Sequence, residues 1–142
     1  MRKVGDILNG RPERVWSVTS NQSVLDAVKE MAKYEIGALL VIDNEQLVGI
    51  LSERDYARKV ILEDKSSAET PVSHIMTPDP TTVGRQDSVE NCMSLMSDND
   101  FRHLPVVEEG RVIGMVSIGD LIKSVIEEQK YTINQLEQYI AG

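Results

Sequence analysis

A chain of 142 residues, 41% apolar and 27% charged, is the size of one domain or of two small ones sharing a core, and with only 4% aromatics that core must be aliphatic. The net charge of −8 makes nucleic acid and anionic membrane poor partners, although a small phosphate can still be held by a few placed Arg side chains or helix N-termini. Cys92 is the single cysteine, which excludes a disulfide framework and a Cys-rich metal site, and no apolar run reaches the roughly 20 residues of a membrane span.

The opening MRKVGDILNG carries no apolar leader core, so the expectation is a cytoplasmic protein. VWSVT (15–19) reads as a short strand. An amphipathic helix follows, with Val24, Ala27, Val28 and Met31 at the i, i+3, i+4, i+7 spacing of one buried stripe. Ser23-x-x-Asp26 is a capping-box pattern at its start. ALLVID (38–43) and LVGIL (47–51) are two strands joined by a DNEQ hairpin turn, and a second helix begins at GILSERD (49–55). The charged, Ser-rich stretch 63–71 is a linker, and TPDP (77–80) is a stiff break because each Pro extends the residue before it.

The pattern then starts again. Shifted by 65 residues, SVLDAVKEM falls on SVENCMSLM (88–96), IGALLVID on FRHLPVVE (101–108), and LVGILSERD on VIGMVSIGD (112–120). Upstream the register slips by three, and VGDIL (4–8) matches VSHIM (72–76). In the second copy TTVG (81–84) is the short strand. Val89, Cys92, Met93 and Met96 form the buried stripe, Asp87-x-x-Glu90 the capping pattern, and EGR the hairpin turn. Cys92 aligns with Ala27 and reads as an inert core thiol, and His74 aligns with Asp6 as a polar loop residue.

The divisions are therefore a first repeat over 1–62, the linker over 63–71, a second repeat over 72–130 and a helical extension over 131–142. A repeat of this size is too small to bury a good core alone, so two copies should pack on their apolar faces. The last helix should run from about 120 to 140, with Ile122, Val125, Ile126, Gln129, Ile133, Leu136 and Ile140 on one side. Nothing remains in the chain to cover its second half. Dimerisation is the expectation, against a frayed amphipathic tail.

Gly-x-x-Ser-x-x-Asp occurs twice, as GILSERD and GMVSIGD, and supports two readings. In one, Ser52 and Ser117 are helix caps, Asp55 and Asp120 reach back to free N–H groups, and Gly49 and Gly114 permit close packing. In the other, the same helix starts bind a nucleotide, each carboxylate accepting from the two hydroxyls of a ribose. A Ser/His/Asp triad is disfavoured because Ala38 stands where the second copy has His103, so the shared motif does not need a histidine. GxSxG, Walker A, HExxH, CxxC and GxGxxG are all absent from the sequence, and the chain reads as a non-enzyme.

The paired repeats, with IGALLVID and RHLPVVE and the endings GILSERD and GMVSIGD, resemble a tandem of CBS domains (a Bateman module) over about residues 1–130. The chain also resembles the short stand-alone bacterial proteins of two CBS repeats. It implies an α+β fold of two β-α-β-β-α units related by a pseudo-twofold, a long C-terminal helix, and two clefts for adenosine ligands. Those ligands are AMP, as the first expectation, or ADP, ATP, NAD(H) or S-adenosylmethionine.

By the same resemblance, Asp120 binds the ribose of one ligand, with Ser117 and the Ile118–Gly119 backbone near sugar and phosphate and with Arg102 and His103 facing the phosphate. Val15, Trp16, Ser17, Ile36 and Gly37 wall its adenine. In the other cleft Asp55 and Ser52 hold the ribose, and Pro80, Thr81, Thr82, Phe101 and Arg102 form the adenine pocket. There Gly37 and Ala38 replace the phosphate partners, and Arg54, with Arg58 or Lys59, is the candidate substitute. A monophosphate suits the Asp120 cleft and a larger or dinucleotide ligand the Asp55 cleft. The function implied is a regulatory sensor, homodimeric, read by a protein partner the sequence does not name. Its rivals are a ligand-free scaffold and a metabolite buffer.

Overall fold

The computed structural model describes residues 2–12 and 14–141. In chain order the elements are α1 (Val4–Leu8), β1 (Ser17–Val18), α2 (Val24–Tyr34), β2 (Ala38–Asp43), β3 (Gln46–Ser52), α3 (Glu53–Tyr56) with a π-helical turn over Ala57–Ile61, a 3-10 turn over Val72–His74, β4 (Thr77–Pro78), α4 (Val89–Asn99), β5 (His103–Glu108), β6 (Arg111–Ser117) and α5 (Ile118–Ala141). They form two compact units, Arg14–Thr81 and the segment before Arg14 together with everything from Thr82. The fold is α+β in both.

In the Arg14–Thr81 unit, β1 pairs in parallel with β2, and β2, β3 and β4 pair antiparallel in that order. Asn44 and Glu45 take positive φ at the β2–β3 turn, as a two-residue hairpin on right-twisted strands demands. Val24, Ala27 and Met31 of α2 are buried against Leu39, Val41 and Leu51, and Val28 packs beside them. The helix ends at Glu35 in the left-handed region (φ 54°), and Asp100 ends α4 at the same φ.

The second hairpin repeats the first residue for residue. Ala38 faces Ser52 as His103 faces Ser117, and the bulge after Val41 recurs after Val106. Val89, Cys92 and Met96 of α4 are buried with Leu104, Val106 and Val116. Burial, and after it the charge of Asp87, pushes the Cys92 thiol up to about 11, so it is an inert core thiol.

Two expectations need correction. The cap of α4 is Ser88, whose Oγ accepts from the Asn91 N–H at 3.0 Å, as Ser23 accepts from Asp26 at 3.1 Å. Asp87 is committed upstream, accepting from the Gly84 N–H at 2.7 Å, so the two caps are not offset. TTVG is no strand: Val83 alone bridges Val106. Trp16 O accepts from the Leu40 N–H at 3.1 Å in the first copy, but the matching residue in the second is Pro105, which has no N–H to give. The second helix of the first repeat is short and widens into a π turn closed by the Leu62 N–H on Ala57 O at 3.1 Å.

The repeat assigned to 1–62 is also not a packing unit. Its opening segment leaves it: Val4 is buried in the cluster of Val89, Cys92 and Leu104, with Ile7 and Leu8 packed on that cluster. Val4 N–H donates to Asp87 O at 2.9 Å and Gly5 N–H to Arg85 O at 3.0 Å. The opening of the second repeat does the converse. Val72 and Ile75 are buried with Val24 and Leu51, Met76 packs beside them, and Val72 N–H donates to Gln22 O at 2.8 Å.

This exchange explains the repeated glycine. A Cβ on Gly49 would lie 2.5 Å from Met76 Sδ and 3.0 Å from Thr77 O, and one on Gly114 would lie 3.3 Å from a Leu8 methyl. Met76 and Leu8 are the matching residues of the two opening segments. Each crosses the hairpin where a side chain would stand.

From residue 129 to 141 every residue of α5 is exposed, and Ile133, Leu136 and Ile140 are 55%, 56% and 83% exposed. Among the described residues no helix is long and apolar enough to cross a membrane.

Gly49→Ala should destabilise the protein by about 1–3 kcal/mol, the usual cost of overpacking, in a denaturant melt. Gly114→Ala should cost less, because only a methyl tip must yield there. Equal effects would contradict the close-approach account.

Candidate ligand-binding site

Each hairpin hands over directly to a helix, and the junction is fixed by one serine and one aspartate. Ser117 N–H donates to Asp120 Oδ2 at 2.8 Å, and Asp120 N–H donates to Ser117 Oγ at 3.1 Å. Ser52 and Asp55 make the same reciprocal pair at 3.0 and 3.1 Å, and the Ser52 hydroxyl adds a bond to Asp55 Oδ2 at 3.0 Å. The next N–H is tied back across the strand end, Ile118 to Arg102 O at 2.9 Å and Glu53 to Gly37 O at 3.0 Å. The helix-cap reading therefore holds locally in both copies.

Capping does not hide the carboxylates. The Asp120 side chain is 31% exposed and that of Asp55 is 16% exposed. Each is held in one orientation by backbone bonds while keeping a face toward solvent. Each also has a cation on it. Arg11 Nη2 lies 3.1 Å from Asp120 Oδ2, and Lys59 Nζ lies 3.3 Å from Asp55 Oδ1 while donating to Ile75 O at 3.0 Å. Lys59 was one of the substitute cations named from sequence. Arg11 was not among the site residues; its only trace in sequence is its place in NGRPERVW, where the first copy carries three extra residues.

In the unit that begins again at Thr82, the structure brings Arg102, His103, Ser117, Ile118, Gly119 and Asp120 to one end of the hairpin. Burial pushes the His103 imidazole below its ordinary value; Asp120 partly restores it and Arg102 presses it further down. A neutral His103 at pH 7 offers one N–H donor and one acceptor rather than a second cation. Phe101, Arg102 and Ile118 also line a cavity of about 560 Å³ with Met93, Met96 and Asp100, and Ser117 and Asp120 are not among its walls.

In the Arg14–Thr81 unit, Val15 and Ser17 are exposed, while Ile36 and Trp16 pack on the core. The indole of Trp16 stacks on Tyr34 with centroids 3.7 Å apart, and the Arg14 guanidinium sits 5.4 Å from its centroid, so its faces already have partners within the protein. Arg54, Pro80 and Thr81 belong to this unit as well, and Thr82 opens the other.

The family model for the CBS domain matches residues 4–62 and again 72–127. The chain belongs to the CBS-domain family. It is 42% identical over 129 residues to the mitochondrial CBS domain-containing protein CBSX3 of Arabidopsis thaliana, covering 87% of this chain and 63% of that protein. The chain thus spans less than two thirds of that relative's length. A solved CBS-domain protein from Burkholderia ambifaria is 48% identical, with a TM-score of 0.86 over 89% of this chain and 96% of that one. The CBS domain pair of protein MJ0100, solved in complex with 5′-methylthioadenosine and S-adenosyl-L-methionine, is 28% identical with a TM-score of 0.80 over 90% of this chain and 98% of that one.

The depressed His103 value makes its linkage directional. The stability tied to this imidazole is present above the unfolded value of about 6.5 and is lost as pH falls through the folded value. NMR titration should place His103 below about 6.5. Asp120→Asn should move it further down and Arg102→Gln should move it up. The opposite signs would remove His103 from this charge cluster.

Proposed function

We propose that the protein is a regulatory module that senses adenosine nucleotides, with AMP the first candidate and ADP, ATP, NAD(H) or S-adenosylmethionine the others. One observation supports the reading: in both copies the aspartate is fixed by a reciprocal cap yet stays partly exposed, and a carboxylate so held is able to accept from a ribose diol. The solved relative in complex with two adenosine compounds supports it.

At the first site Asp120 takes the ribose. Ser117, Ile118 and Gly119 lie along sugar and phosphate, and Arg102 and His103 face the phosphate. At the second, Asp55, Ser52 and Arg54 take the sugar and phosphate end, and Pro80 and Thr81 the base. Occupancy shifts the protein between arrangements by its differential affinity for them, and a protein partner reads the shift. CBS domains as a class regulate rather than catalyse, and this module works without chemistry of its own.

The working form in this reading is a homodimer. Ile122, Ile126, Gln129, Ile133, Leu136 and Ile140 alternate spacings of four and three, the seam of a coiled coil, and this seam is uncovered on α5. Ile133→Glu with Leu136→Glu should convert a dimer to a monomer in analytical ultracentrifugation. An unchanged mass would rule out the seam as the interface.

Calorimetry and thermal melts on nucleotide-free protein test the sensor itself. A ligand at ~100 times its Kd should add about 2.7 kcal/mol of stability. Asp120→Asn and Asp55→Asn keep a capping acceptor and should each remove one binding event without lowering the ligand-free melting temperature much. If AMP, ATP, NADH and S-adenosylmethionine all leave the melt unmoved, the scaffold reading replaces this one.

A further inference from the structure

The pair between Arg11 and Asp120 has a consequence for which ligand the site takes. The Asp120 oxygen that receives Arg11 at 3.1 Å is the one already bonded to the Ser117 N–H at 2.8 Å. A ribose diol arriving at this carboxylate competes with the guanidinium for the same acceptor. The Arg11 backbone is held in place, its N–H bonded to Leu8 O at 3.1 Å and Leu8 packed on the core beside Gly114, so a displaced guanidinium stays within one side-chain length of the site. A bound sugar therefore frees a cation close to the ligand, at the hairpin end that also carries Arg102 and His103.

We propose that Arg11 selects for an adenosine ligand bearing an anionic 5′ group at the Asp120 site. The inference rests on the reading of Asp120 as the ribose acceptor. A 5′-phosphate gives the displaced guanidinium a new and stronger partner, since Arg and phosphate form charge-assisted, often bidentate bonds. A neutral 5′ group leaves Arg11 with its carboxylate taken away and no replacement. A cationic sulfonium adds repulsion. Discrimination thus comes as much from the penalty on the wrong ligand as from attraction to the right one. The other copy lacks a cation from this segment: Lys59 pairs with Asp55 from the same helix, and the stretch TPDP that follows Met76 carries Asp79 where the first copy has Arg11. The selection belongs to one of the two sites.

The test compares AMP with 5′-methylthioadenosine, which keeps the nucleoside and lacks the phosphate. Isothermal titration of the full chain would use wild type, Arg11→Ala, Arg11→Lys and Asp120→Asn at fixed ionic strength. Wild type should prefer AMP. Arg11→Ala should shrink that preference by about tenfold or more, losing affinity for AMP while holding or gaining affinity for 5′-methylthioadenosine. Arg11→Lys should keep part of it, and the salt dependence of AMP binding should flatten in Arg11→Ala. An AMP preference unchanged in Arg11→Ala overturns the proposal, as does an equal loss for both ligands, which would mark a structural role. If Asp120→Asn abolishes a binding event while Arg11→Ala leaves the ratio intact, the ribose reading stands and the Arg11 proposal falls. If neither ligand binds wild type, both fall together.

Discussion

The reciprocal hydrogen bonds between Ser117 and Asp120, and between Ser52 and Asp55, are what the site depends on. At each junction a strand must stop and a helix must start within one residue. The first N–H groups of that helix have no carbonyl partners within it: the first is bonded across to Arg102 O or Gly37 O, and the Ser and Asp side chains serve the Asp and Ser N–H groups. The same bonds immobilise a carboxylate at the rim of the unit. In the proposed reading, a structural requirement and a binding requirement are met by the same two side chains. The cap and ligand readings, opposed when only the sequence is considered, are compatible in three dimensions.

The duplication preserves geometry more strictly than chemistry. Residues 20 and 43 are joined by the Ser20 N–H and hydroxyl donating to Asp43, which holds that carboxyl below its ordinary range. The matching residues in the other copy are Arg85 and Glu108, joined by an ion pair at 3.4 Å. The loop is pinned to the strand end in both cases, by different means. The cation on each site aspartate follows the same logic: Lys59 reaches from the helix that Asp55 caps, and Arg11 from a segment far away in sequence. Equivalent positions with unequal charge are the physical reason to expect two sites of different ligand preference.

The exchange of opening segments constrains folding as well as packing. VGDIL and VSHIM each complete a core that lies on the far side of the linker or the first strand. The Arg14–Thr81 unit is one contiguous stretch of chain, whereas the other joins the segment before Arg14 to the chain from Thr82 onward. The two glycines under Leu8 and Met76 are the local trace of this arrangement. A substitution there acts on a contact between segments distant in sequence.

Much was legible in the residues alone. The 65-residue offset, the buried stripes of both first helices, the hairpins with their turns and the long final helix all follow from periodicity and turn chemistry, which are local properties. The Ser and Asp at each junction were visible for the same reason. Tertiary structure alone decided which core each opening segment enters, because a five-residue apolar pattern fits either of two similar cores and carries no address. It also decided that Pro105 reduces a strand to a single bridge, since the missing N–H matters only once its partner is known. And it brought Arg11 to Asp120, a contact across more than a hundred residues that no spacing rule encodes.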